Sequence, residues 1–88
     1  METDKFIGMC KKLVADYATK GLDVTDNVEF SKDNVYVVWL SKTLQNSKAL
    51  LSTTLPDGMY YELTYNGDKN EIYFDAYKKI ENIAYQVD

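Results

Sequence analysis

Asn66-Gly67-Asp68-Lys69-Asn70-Glu71-Ile72-Tyr73-Phe74-Asp75-Ala76-Tyr77 is the stretch on which the fold turns. Its first two residues suit a tight hairpin, which would send the chain into a further strand. Asp68 and Glu71 also have the spacing of a capping box, an acidic N-cap with a glutamate three residues on. Beyond them Tyr73, Ala76, Tyr77, Ile80, Ile83, Ala84 and Val87 recur at three- and four-residue steps, while Glu71, Asp75, Lys79, Asn82 and Gln86 fall opposite. That periodicity predicts a C-terminal helix. The alternative is a short fourth strand over Glu71–Phe74, followed by a shorter helix.

Upstream lie three strand-like runs. Val35 to Leu44 begins with β-branched and aromatic residues, Gln45-Asn46-Ser47 forms a turn, and Lys48 to Leu55 follows. Pro56-Asp57-Gly58 is a stronger turn, because proline presets φ and glycine accepts a left-handed conformation. Met59 to Tyr65 is the third run. Alternation places Leu51, Leu55, Met59, Tyr61, Leu63 and Tyr65 on one face, with Ser52, Thr54, Glu62 and Thr64 on the other. In the first run Val35, Val37 and Trp39 take one side, and Tyr36, Val38 and Leu40 the other.

The N-terminal segment reads as a helix from Asp4 to Lys20, capped by Thr3 and stopped by Gly21. Its apolar stripe is Phe6, Met9, Cys10, Leu13 and Tyr17. Leu22 to Asn34 is a polar loop that Val28 and Phe30 attach to the core. The expected fold is thus a single α+β domain over residues 1–88, of order α-β-β-β-α. It is a three-stranded antiparallel meander with two helices packed on one face.

Composition narrows the chemistry. The chain has 88 residues, a net charge of −4 and no histidine, and all ten basic residues are lysines. Histidine is the usual general base near neutral pH and a common metal ligand; arginine is the usual fork for phosphates and guanine edges. The expectation is a non-enzymatic protein with no catalytic residue, no cofactor and no metal. Cys10 lies in the apolar stripe with no histidine to activate it, so it reads as a small buried hydrophobe. The acidic run Asp23 to Glu29 lacks the glycine and terminal glutamate of an EF-hand loop. Asn66-Gly67-Asp68-Lys69 falls far short of a phosphate-binding loop. Glu62, Glu71 and Asp75 have nothing to position them as an acid–base pair.

No apolar run reaches the length of a membrane span, METDKFIG lacks the features of a secretory signal, and one cysteine forms no internal disulfide. These point to a cytoplasmic location without membrane contact. The surplus of aromatics, with eight tyrosines and one tryptophan, points instead to a binding surface. Tyr17, Tyr61, Tyr65, Tyr73 and Tyr77 are assigned to the core. Tyr36, Val38, Leu40 and Tyr60, with Leu50, occupy the sheet face away from the helices, and Phe74 and Tyr85 share a flank of the last helix. Tyr36, Val38, Leu40, Tyr60, Phe74 and Tyr85 are therefore the candidate partner-binding residues. A protein partner or a homodimer is expected, unless the Leu22–Asn34 loop covers the sheet face.

The expected order of elements resembles that of double-stranded RNA-binding domains. Those domains carry basic residues at the start of the last helix, where this chain has Asp68-Lys69-Asn70-Glu71. A nucleic-acid-associated module, or an acidic mimic of nucleic acid, is therefore the alternative reading. A closer resemblance runs through Trp39, Lys42 to Asn46, Lys48 to Thr54, Asp57 to Glu62 and Thr64 to Glu71, extending to Asp75 to Lys79 and Glu81-Asn82. These segments are similar to a family of small proteins of unknown function encoded by phages and prophages of Gram-positive bacteria. The resemblance implies a phage accessory protein acting in the bacterial host cytoplasm, and it carries no site residues with it.

Overall fold

A computed structural model describes residues 1–20 and 30–88. Gly21 as a helix stop, the loop anchor Val28 and the acidic run Asp23 to Glu29 lie outside the described residues. The elements are α1 (Thr3–Lys20), a short 3-10 turn (Lys32–Asn34), β1 (Val35–Thr43), β2 (Asn46–Thr53), β3 (Met59–Asn66) and β4 (Glu71–Lys78). The fold is α+β; among the described residues it has one α-helix and a four-stranded antiparallel sheet in the order β1-β2-β3-β4.

The correction falls on the C-terminal segment. Glu71–Lys78 is not a helix but a fourth strand, paired with β3 from Met59↔Lys78 to Asn66↔Glu71. The expected α-β-β-β-α order, three-stranded meander and second helix are therefore replaced by α-β-β-β-β, and the parallel with RNA-binding domains goes with them. The reason is a competition between local pattern and available pairing. Asn66 Oδ1 accepts from the backbone N–H groups of Asp68 and Lys69 at 3.0 and 3.3 Å, and Asn70 adopts φ +54°. Asparagine tolerates this left-handed conformation well, so the loop reverses the chain onto the free edge of β3. Asp68 is not a cap: its carboxylate accepts from the Gln45 side chain at 2.8 Å. Residues 79–88 follow in no regular element.

The β1–β2 turn is shorter than expected. Thr43 pairs with Asn46, so Leu44 and Gln45 alone make the bend, and Leu44 takes φ +57°. At the β2–β3 connection, the expected Pro56-Asp57-Gly58 turn is present. Gly58 has φ +69°, and Asp57 Oδ1 accepts from the Met59 N–H at 3.0 Å.

One face of the sheet packs on α1. Phe6, Cys10 and Val14 meet Ala49, Leu51, Tyr61 and Leu63, all at most 1% exposed. Burial of Phe6, Val14, Leu51 and Leu63 contributes roughly 1.5–3 kcal/mol each. Phe30 packs against this core, as expected. The buried helix stripe is Phe6, Cys10, Val14, Ala15 and Ala18; Met9, Leu13 and Tyr17 stand to one side and are exposed. The sheet is wider than one helix can cover, so the stripe centres over β2 and leaves a flank free. Tyr73 and Tyr77, read as core, are likewise exposed, because β4 turns them to the opposite face.

Candidate functional site

The sheet face away from α1 is assembled by strand register. Tyr36, Ser52, Tyr60 and Tyr77 form one transverse row across all four strands. The next row is Trp39, Leu50, Glu62 and Asp75; the one after is Ser41, Lys48, Thr64 and Tyr73. Ser52 is buried between the first two tyrosines, and its hydroxyl donates to the Met59 carbonyl at 2.7 Å. Lys48 Nζ lies 3.2 Å from Glu62 Oε1 on the same face. That pair is largely solvated and contributes at most about 1 kcal/mol.

A register shift between Val37 and Trp39 decides which aromatics reach this face. Val37 lies opposite Leu51, whose side chain is in the core, whereas Trp39 lies opposite Leu50 on the outer face. The extra residue, Val38, is absorbed by the irregularity, as in a β-bulge. Trp39, expected beside Val35 and Val37, is thereby turned outward.

Of the candidate partner-binding residues, Tyr36 and Tyr60 lie on the outer face, in one row. Leu50 lies there too. Val38 sits at the irregularity and is exposed. Leu40 does not belong to this face: it pairs with Ala49, which is fully buried on the helix side. Phe74 is also on the helix side, with its ring centroid 5.2 Å from that of Tyr17 and 5.6 Å from that of Tyr61. Tyr85 is exposed in the segment after β4, so Phe74 and Tyr85 share no helical flank. Sequence reasoning missed Trp39, Tyr73 and Tyr77 as outer-face residues. Strict two-residue alternation through Glu71–Lys78 would have found the tyrosines; the irregularity beside Trp39 has no signal in the composition of β1.

Trp39, Leu50, Tyr60 and Tyr77 floor an open groove of about 480 Å³, with Glu62, Lys78 and Lys79 at its rim. It mixes flat aromatic surface with charges of both signs, which suits a polypeptide surface. On the helix side, Tyr17, Ala18, Leu55, Pro56, Met59 and Tyr61 line a recess of about 400 Å³ with one carboxylate, Asp57, already engaged by the Met59 N–H. Neither recess holds a nucleophile beside a base.

Among the described residues, three groups have displaced protonation. Burial pushes the Cys10 thiol up to about 12, which makes it a poor nucleophile and not an activated one. Burial, and secondarily Asp57, raises Tyr61. Tyr73 is raised chiefly because its hydroxyl donates to Glu71 Oε2 at 2.8 Å. Among the described residues, no group of three or more His, Cys, Asp or Glu is placed to hold a metal ion, and no helix is long and apolar enough to cross a membrane.

No curated protein and no solved structure matches the chain. A family pattern does match, over residues 7–87, from the second turn of α1 through all four strands to the penultimate residue. The chain belongs to the family of unknown function DUF6275.

Proposed function

We propose that the chain is a protein-binding module that works through the outer face of its sheet, by binding and not by catalysis. The observation that carries this reading is the aromatic cluster on that face. Tyr36, Trp39 and Tyr77 are 48%, 40% and 52% exposed, with Tyr60 half-buried between them. Large aromatics held on paired strands bring rigid area at little entropic cost, and they dominate the energetics of many interfaces. Large aromatic rings left partly in water on one sheet face, from β1 across to β4, favour an interaction surface. The similarity of the central strands to phage- and prophage-encoded proteins supports a phage accessory role in a bacterial host cell, with a host or phage protein as the partner.

The test is affinity capture from host lysate, followed by measurement of the purified pair. Trp39→Ala and Tyr60→Ala are each expected to weaken binding about 30-fold, the effect of losing an anchor worth ~2 kcal/mol. Leu44→Ala, at an exposed turn away from the groove, should leave it unchanged. Equal affinity of all three variants would overturn the assignment of this face.

A further inference from the structure

We infer that two copies of this chain pair edge to edge through β4, forming one eight-stranded antiparallel sheet with both helices on the same side. The pairing uses the edge of β4 and the helix flank, meets the aromatic rows only at their β4 ends, and stands whether or not the outer face binds a partner.

The two edges of the sheet differ. β1 carries the register shift between Val37 and Trp39, and irregularities of this kind blunt an edge against further pairing. β4 pairs with β3 over eight consecutive residues without a shift, and it contains no proline. Among the described residues its other side has no strand partner. A long, regular edge rich in Ile, Tyr and Phe is a template for another strand.

The helix beside that edge is apolar where a monomer has no use for it. Met9, Leu13 and Tyr17 follow one another at four-residue steps and are 38%, 38% and 47% exposed. Leu13 and Tyr17 reach toward β4: the Tyr17 ring is tilted against that of Phe74 with centroids 5.2 Å apart, and Leu13, Asp16, Tyr17 and Lys20 form with Phe74 a groove of about 300 Å³. A two-fold axis normal to the sheet and passing through the β4 edge turns the two Leu13–Tyr17 flanks toward each other above the joined strands.

The sequence and length of β4 together select a register, the one that pairs the most of the strand without opposing like charges. Such a two-fold keeps outer-face residues opposite outer-face residues, so the axis passes beside a single residue and its own copy. Centred on Asp75, it opposes two carboxylates; centred on Tyr73, it sets Glu71 against Asp75 of the second copy. Like charges directly opposite are destabilising. Centred on Phe74, the pairing opposes no like charges. Phe74 meets Phe74, Ile72 meets Ala76, Tyr73 meets Asp75, and Glu71 meets Tyr77. The contact would comprise one strand edge and a short helix flank, which is small among stable interfaces. The dimer is therefore expected in the micromolar range. Joining the edges also merges the Tyr73 and Tyr77 sides of the two outer faces into one continuous surface.

Sedimentation equilibrium of the full chain over a micromolar concentration series is expected to show a monomer–dimer equilibrium. Met9→Lys combined with Leu13→Lys should weaken association at least tenfold with an unchanged circular dichroism melt. In a Cys10→Ser background, Phe74→Cys should form a covalent dimer with diamide, and so should a mixture of Tyr73→Cys and Asp75→Cys chains, which perturbs the core less. Tyr36→Cys on the opposite edge should not. A monomer at all concentrations overturns the inference. So does a dimer indifferent to the helix-flank lysines, or one that crosslinks through Tyr36→Cys and not through the β4 positions.

Discussion

The Gln45 side chain donates a hydrogen bond of 2.8 Å to the Asp68 carboxylate, tying the tip of the β1–β2 hairpin to the loop between β3 and β4. These tips are 23 residues apart in sequence. Between them, the Gly67 N–H donates to Asn46 Oδ1 at 3.0 Å. A Cβ on Gly67 would stand 2.8 Å from Gln45 Cβ and closer still to the Gln45 carbonyl oxygen. Since that oxygen belongs to the backbone of a tight turn, it has little freedom to retreat. Gly67→Ala is expected to destabilise the fold by about 1–3 kcal/mol, read from urea denaturation. Asp68→Ala, which removes one exposed hydrogen bond, should cost no more than about 1 kcal/mol.

The strand at Glu71–Lys78 makes a direct prediction for hydrogen exchange. Amides of β4 that bond to β3 should be protected, whereas those of residues 80–88 should exchange at rates near those of a free peptide. A C-terminal helix would instead protect a continuous run beyond Lys78. Lys79 is the exception, since its N–H donates to the Gly58 carbonyl at 2.8 Å.

Phe74 bridges Tyr17 and Tyr61, so its loss is expected to act on stability. Phe74→Ala should cost about 2–4 kcal/mol in chemical denaturation. Tyr36→Ala and Tyr77→Ala, both about half exposed, should each change stability by no more than about 1 kcal/mol. This contrast separates residues that hold the fold from those offered to a partner.

Cys10 links burial to pH. Its thiol ionises at 9.0 when unperturbed, and burial pushes it up to about 12 in the folded chain. The unfolded state therefore releases a proton first as pH rises. The stabilisation is complete below pH 9.0 and is lost progressively toward about 12, where the folded thiol also ionises. Denaturation midpoints should fall as pH is raised through this window, and Cys10→Ala should make the fall shallower. At about pH 8 a disulfide reagent should modify Cys10 only after denaturant is added.

Much of the architecture is legible in local pattern. The helix over Thr3–Lys20 and the strands around Val35–Thr43 and Met59–Asn66 follow from periodicity and from turn residues such as Pro56-Asp57-Gly58. The outer placement of Tyr36 and Tyr60 follows from alternation along their own strands. Other features escape local reading for identifiable reasons. Tyr73 and Tyr77 are four residues apart, a spacing that suits a helical face and, being even, one face of a strand equally well. Leu40 and Trp39 exchange faces because β1 gains one residue relative to β2, and this is visible only in the pairing.

The order of residues determined where this chain turns, which segments are amphipathic, and that it carries no histidine or arginine. Those properties are local, set by side-chain chemistry and by the conformations that proline, glycine and asparagine prefer. The tertiary structure decided that Glu71–Lys78 is a strand, that Trp39 faces outward and that Met9, Leu13 and Tyr17 are left uncovered. Each of these depends on a partner distant in sequence. An unpaired β3 edge offers hydrogen bonds that β4 completes, and a single helix can cover only part of the four-stranded sheet that results.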